Sequence, residues 1–265
     1  MINRKRKDLE ADIRHEKEQW GKIFESKLKN VANKPRFSTF WDEDYYTKIK
    51  NYLDPLILKY RYSRILEPGS GSGRASIILN RDLDKTLLDI SPNALQYAKH
   101  IAKKFKAIKI KYIIGNIFDI PFNKERFDLV WNIGVVEHYK VHDLKLILSE
   151  MIRVTKKNGI VAIGVPNIYS GPIIKALILK YLPKKFFPGY RIDTENFYDK
   201  KTLKNLLISV AKKRKRKVEW IEVHYFGNPL PSEFPKSIIC TLGRLINFIF
   251  PKNRFLILTI CKLKR

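Results

Sequence analysis

Glu67-Pro68-Gly69-Ser70-Gly71-Ser72-Gly73 sets one carboxylate and three alternating glycines directly after the apolar pair Ile65-Leu66. Such a strand-to-turn sequence suits a ligand that approaches main-chain atoms, because glycine accepts φ > 0 and has no Cβ to block the approach. Asp89 closes a second apolar run, Thr86-Leu87-Leu88, and precedes Ser91-Pro92, a pairing typical of a helix start. An acidic residue at the end of a second strand accepts hydrogen bonds from ribose hydroxyls in doubly wound folds. The chemistry on offer is therefore recognition of a nucleoside. A dinucleotide turn needs a small residue where Arg74 stands, and a phosphate-binding P-loop needs Gly-Lys-Ser/Thr, which does not follow, so pyrophosphate is a poor fit beside Glu67.

The elements that must position these groups follow in order. A helix is expected from Arg74 to Asn80, a third strand from Ile108 to Ile114 leading into Gly115-Asn116-Ile117, and a fourth from Phe127 to Asn132. An amphipathic helix carrying Leu144, Leu146, Ile147, Met151 and Val154 precedes a fifth strand, Gly159 to Pro166. Strands alternating with helices imply an α/β fold with a mostly parallel sheet.

Taken together, Glu-x-Gly-x-Gly-x-Gly, the acidic end of strand two, the Gly115-Asn116 turn and Asn132-Ile133-Gly134-Val135-Val136-Glu137-His138 resemble, in order, the motifs of class I S-adenosylmethionine-dependent methyltransferases. The resemblance covers residues 60 to 166. It implies a Rossmann-like, doubly wound seven-stranded sheet with helices on both faces. It also implies S-adenosylmethionine as methyl donor, bound by Glu67, Gly69, Ser70, Gly71, Gly73, Asp89, Ile90, Asn116, Ile117, Asn132 and Ile133. Asn116 stands where the family usually has Asp, and Asp119 competes with it for the adenine amino group. The stretch ending in Glu137-His138 is similar to that of ubiquinone-pathway O-methyltransferases, which read Glu-x-x-Glu-His and hold a divalent metal there. Gly134 replaces the first Glu, so no metal is expected, and His138 becomes the candidate general base beside Glu137.

Residues 1–60 read as an N-terminal helical extension and 61–265 as the methyltransferase domain, with insertions at about 167–197 and 231–251. Residues 4–30 carry Leu9, Ile13, Trp20, Phe24 and Leu28 near helical spacing. The aromatic segment Phe37 to Leu58 either closes over the donor, as a segment before strand one does in relatives, or packs on the domain as a plain helix. Each insertion holds one apolar helix candidate, Ile173 to Leu182 and Ile238 to Phe250, flanked by basic residues such as Lys184 and Lys185. These suit a cap over an apolar acceptor, or a surface resting on anionic lipid.

With 53 Lys+Arg against 26 Asp+Glu, the net charge is +27, and Lys212 to Lys217 is an unbroken basic run. That balance attracts polyanions, nucleic acid or acidic membrane, without choosing between them. Two cysteines, Cys240 and Cys261, support neither a disulfide framework nor a zinc site, and the charged N-terminal stretch lacks the apolar core of a signal peptide. A cytoplasmic protein, free or peripheral at the membrane, is the expectation. Asn132-Ile133-Gly134-Val135 is not the Asp/Asn-Pro-Pro-aromatic signature of adenine-N6 enzymes, and neither cysteine adjoins a core motif as cytosine-C5 chemistry requires. A small, apolar or lipid-like acceptor methylated on O or N is the reading. An RNA methyltransferase and a non-catalytic donor-binding subunit are the alternatives.

Overall fold

The structure is a computed structural model describing residues 2–29, 31, 35–183 and 196–264. Seven strands form one sheet: β1 (Arg64–Pro68), β2 (Asp84–Asp89), β3 (Ile110–Ile114), β4 (Phe127–Ile133), β5 (Thr155–Pro166), β6 (Val218–Phe226) and β7 (Leu256–Leu263). Their order is β3-β2-β1-β4-β5-β7-β6. The first five run parallel, and β7 is antiparallel to both of its neighbours, β5 and β6. Between β1 and β4 the chain reverses its direction of travel across the sheet. Such a reversal opens a crevice at the C-terminal ends of the two strands.

Successive residues of the central strands feed opposite cores. Leu66, Val130 and Val161 face α5 (Val141–Val154) and α7 (Lys200–Lys213), whereas Ile65, Leu129, Trp131, Ile160 and Ala162 face α2 (Phe40–Lys59). This two-sided burial is why the strands read as continuous apolar runs. A third cluster joins Leu87 to α4 (Pro92–Lys104) and to Phe24 of α1 (Ile2–Leu28). Helix α4 starts as its sequence implies: Ser91 Oγ accepts from the Ala94 N–H at 3.3 Å, and Pro92 occupies the first turn.

Several boundaries differ from expectation for local reasons. The helix after the glycine turn, α3, covers only Arg74–Ile77, because the Asn80 N–H is taken by Asp54 Oδ1 of α2 at 3.0 Å. Strand β3 begins at Ile110, after Lys109 at φ 56°. The insertion following β5 contributes α6 (Gly171–Lys180); Lys184 and Lys185 lie outside the described residues. The helix expected over Ile238 to Phe250 is two: α8 (Lys236–Cys240) and α9 (Leu242–Ile249). Thr241 Oγ1 bonds back to Ser237 O at 2.8 Å and the backbone breaks there. The break allows Gly243 to seat on Asn228, whose Oδ1 a Cβ would approach to 2.7 Å.

The aromatic segment does not close over the crevice. Trp41, Tyr45, Ile49, Leu53 and Ile57 of α2 are buried against the sheet face, and the helix that reaches the crevice is α1. Among the described residues no helix is long and apolar enough to cross a membrane.

Candidate active site

The glycine turn is held from two sides. The Ser70 N–H donates to Leu88 O at 3.0 Å, and the Gly71 N–H donates to Asp89 Oδ2 at 2.7 Å. The other Asp89 oxygen accepts from the Ser91 N–H at 2.8 Å, so one carboxylate joins the turn to the start of α4. Burial raises the Asp89 pKa above the ordinary aspartate value, opposed by these backbone N–H groups. Gly71 sits at φ 51°, and a Cβ there would come within 3.2 Å of the Phe24 ring. Gly73 serves packing: at φ 61° its Cβ would lie 2.4 Å from a Leu87 methyl.

A pocket opens above this turn. Its wall is built by Gly69, Ser70, Gly71 and Ser72, by Asp89 and Ile90, by Gly115, Asn116 and Ile117, and by Ile133, Gly134, Val135 and Tyr139. Helix α1 roofs it with Ile13, Glu16, Trp20 and Phe24, a face repeating every three to four residues. The Asn116 side-chain oxygen accepts from the Phe118 N–H at 2.9 Å, which shapes its own turn, while Asp119 is exposed and outside the wall.

Behind the turn lies a second set of polar groups. Glu67 is buried and accepts from the Ser76 N–H at 3.3 Å, and loss of hydration pushes its pKa up to about 7. Asn132, fully buried, donates from Nδ2 to Pro68 O at 2.6 Å and so braces the strand end that carries the turn. Burial, then the neighbouring charges of Tyr46, Glu137 and Glu67, hold the Tyr45 phenol well above its usual pKa. Glu67, Gly73 and Asn132 thus support the wall from behind, whereas Gly69, Ser70, Gly71, Asp89, Ile90, Asn116, Ile117 and Ile133 line it.

A family model described as a methyltransferase domain matches residues 61–225. The chain belongs to the class I S-adenosylmethionine-dependent methyltransferases. It is 26% identical over 214 residues to a ubiquinone biosynthesis O-methyltransferase of Rickettsia canadensis, covering 71% of this chain and 89% of that one. A malonyl-[acyl-carrier protein] O-methyltransferase of Salmonella typhimurium is 32% identical over 108 residues, 40% of each chain. Among solved structures, magnesium protoporphyrin IX methyltransferase of Synechocystis, with bound S-adenosylhomocysteine, superposes with a TM-score of 0.59 at 11% identity, covering 94% of this chain and 97% of that one.

The residues present fit the methyltransferase donor. Ser70 Oγ and Asn132 Oδ1 are buried polar atoms without a hydrogen-bond partner among the described residues, and both belong to the turn region. A donor carrying an ammonium and ribose hydroxyls offers what such atoms lack.

Between Val135 and Tyr139, which line the pocket, the methyltransferase chain makes a 3₁₀ turn, Val136–His138, whose own residues are not part of the wall, so the expected catalytic pair Glu137 and His138 lies beside the pocket rather than in its lining. Glu137 is buried; His138 is half-buried, with its ring edge-on to Trp20 at 5.6 Å between centroids. The chain returning from the first insertion is tied to this turn: the Asn196 N–H donates to Glu137 O at 2.6 Å, and Tyr198 OH donates to Tyr139 O at 2.5 Å. Gly134, at φ 76°, is in the left-handed region that disfavours a glutamate. Among the described residues no group of three or more His, Cys, Asp or Glu side chains is placed to hold a metal ion.

Glu16 and the roofing role of Ile13, Trp20 and Phe24 are marked by no motif in the sequence. The signal was present as the helical spacing of the three apolar residues. What it lacked was the direction in which that face points.

Proposed function

We propose that this methyltransferase methylates an oxygen or nitrogen of a small, apolar or lipid-like acceptor, with His138 as general base. The reading rests on the apolar stretch of the pocket wall formed by Ile133, Gly134, Val135 and Tyr139, and on His138, which lies outside that wall but meets the wall residue Trp20 edge-on. A proton acceptor set among apolar groups suits an acceptor whose body is apolar and whose reacting atom carries hydrogen. Both relatives are named as O-methyltransferases, one of ubiquinone biosynthesis and one of malonyl-[acyl-carrier protein], which supports an oxygen acceptor.

The donor supplies a methyl group already activated on a sulfonium. The protein's share is orientation and exclusion of water. Asp89 would receive ribose hydroxyls, Asn116 and Ile117 would meet the adenine, and Ser70 would accept from the methionine end, with Asn132 holding the strand end beneath it. Glu67 acts through the Ser76 N–H as a positioning residue beneath the turn. His138 takes the acceptor's proton as the acceptor atom bonds the methyl carbon and the carbon–sulfur bond breaks.

The test is to incubate the protein with radiolabelled S-adenosylmethionine and a cell extract, with and without EDTA, and to fractionate the label. Label is expected in the organic-soluble fraction and to be unaffected by EDTA. His138→Gln should lower kcat by roughly 10²–10⁴ while S-adenosylhomocysteine affinity stays unchanged. Label recovered in RNA would replace the reading, and turnover abolished by EDTA and restored by a divalent ion would reassign Glu137 and His138 as ligands.

A further inference from the structure

Helix α9 is strongly amphipathic, and its apolar side faces outward. Leu242, Leu245 and Ile249 recur at helical spacing and are 45%, 54% and 56% exposed, and Phe248 beside them is 85% exposed. Only Gly243 of this helix is buried. A helix that packs on its own domain shows the opposite arrangement. Helix α6 has the same character on one side, where Ile174 and Ile178 stand exposed while Ile173 and Ala176 are buried.

The two helices lie at one end of the sheet. Helix α6 follows the C-terminal end of β5 and α9 precedes β7, whose first residue pairs with Pro166. The Gly171 N–H donates to Pro229 O at 2.9 Å, and Asn167 Nδ2 donates to Lys252 O at 2.7 Å, so the insertions are joined to each other. This is also the end at which β1 and β4 open the donor pocket. The two insertions themselves carry charge of nearly one sign, with Asp42 of α2 lining the same cleft as Lys175 and Glu233. In residues 167–183 and 227–255 the sole acidic residue is Glu233, and it is paired with Lys175 at 2.6 Å. Exposed Lys180, Arg244 and Lys252 rim the surface.

We propose that α9, with the outer side of α6, is a membrane-docking surface that rests in the interface of an anionic bilayer and turns the pocket end of the sheet toward the lipid. Apolar side chains at the acyl boundary combined with Lys and Arg at the headgroups are the two terms that hold an interfacial helix. Neither a soluble substrate nor a polyanion such as RNA uses four exposed large apolar side chains on two turns of helix. The surface deepens the acceptor reading and rests on it only for what is delivered: an apolar acceptor dissolved in the bilayer would reach the pocket without crossing water.

The full chain is mixed with vesicles of phosphatidylcholine alone, or of equimolar phosphatidylcholine and phosphatidylglycerol, and binding is read by co-sedimentation at low and high salt. Binding to anionic vesicles should exceed that to neutral ones by at least about tenfold, and the triple variant Leu245→Ser, Phe248→Ser, Ile249→Ser should lose at least about tenfold. Arg244→Gln with Lys252→Gln should cost roughly fivefold per charge on anionic vesicles only. S-adenosylhomocysteine affinity in vesicle-free buffer should be unchanged in every variant. Should the triple variant lose that affinity too, Phe248→Trp decides, since its added fluorescence must be quenched by brominated lipid if the helix inserts. No vesicle binding by the parent chain, equal binding by the triple variant, no quenching, or self-association that the triple variant abolishes each overturns the surface. Failure to methylate a soluble apolar analogue, with vesicle binding intact, overturns the acceptor reading and leaves the surface standing.

Discussion

Glu67 shows how one buried carboxylate shapes the site. It reads in sequence as the acidic start of a glycine motif, yet it stands behind the turn, buried and bonded to the Ser76 N–H. Loss of hydration raises its pKa from 4.5 to about 7 in the folded chain. The linkage has a definite sign. Below the unfolded pKa both states are protonated and Glu67 costs nothing; as pH rises from the unfolded value toward the folded one only the unfolded state ionises, and stability is lost. The loss, at most about 3 kcal/mol, is complete above the folded pKa. Glu67→Gln retains an acceptor for Ser76 and has no proton to lose. It should therefore be more stable than the parent near pH 8 by an amount that shrinks toward zero near pH 5, measured by urea unfolding at the two values. Equal stabilities at both would mean that Glu67 is ionised in the folded state throughout.

Helix α1 is the element whose role its own sequence understated. Trp20 and Phe24 recur at helical spacing and pack on α4, where Phe24 meets Tyr97 at 5.7 Å, but they also cover the pocket proposed for the donor. Phe24 is 5% exposed, and its ring fills the space that the missing Gly71 side chain leaves. Large-to-small changes at buried aromatics cost about 3–5 kcal/mol, and here that cost falls on a helix docked at the edge of the fold. Phe24→Ala should release α1 locally: amide exchange of residues 13–28 should rise and S-adenosylhomocysteine affinity fall, while exchange in β1, β4 and β5 stays slow. Unchanged donor affinity would show that α1 is packing alone. Helix α2 makes the complementary point. Its aromatic residues suggest a cover by composition, and burial of Trp41 and Tyr45 against the sheet makes it core.

Across the whole molecule, the charge of +27 is not a single binding surface. Within the run Lys212 to Lys217, Arg214 donates to Ser149 Oγ at 2.6 Å, and Arg216 donates to Lys156 O at 2.8 Å and Thr155 O at 3.2 Å. The two arginines therefore join the end of α7 to α5 and to the start of β5. Gln at Lys212, Lys213, Lys215 and Lys217 should leave the Tm unchanged or raise it slightly by relieving like-charge repulsion. Arg216→Gln, which abandons two carbonyls of a part-buried edge, should cost about 1–3 kcal/mol. Thermal melts of the two variants separate these outcomes, and equal effects would show that the run acts as a unit.

The succession of the first five strands along the chain, the glycine turn, the acidic end of β2 and the capped start of α4 were all legible because each is a local event. A glycine that must take positive φ, a Ser-Pro helix start and an apolar run between turns declare themselves within a few residues. Family and donor followed from several such events in one order. The sequence alone could not distinguish wall residues from those that hold the wall, since Gly71 and Gly73 look alike until Phe24 and Leu87 are seen against them. Nor could it decide which way an amphipathic helix faces. Helices α1 and α9 have the same kind of pattern, and only the tertiary structure turns one inward over the pocket and the other out to solvent, because a helix's apolar side is a local property and the surface it meets is supplied by residues far along the chain.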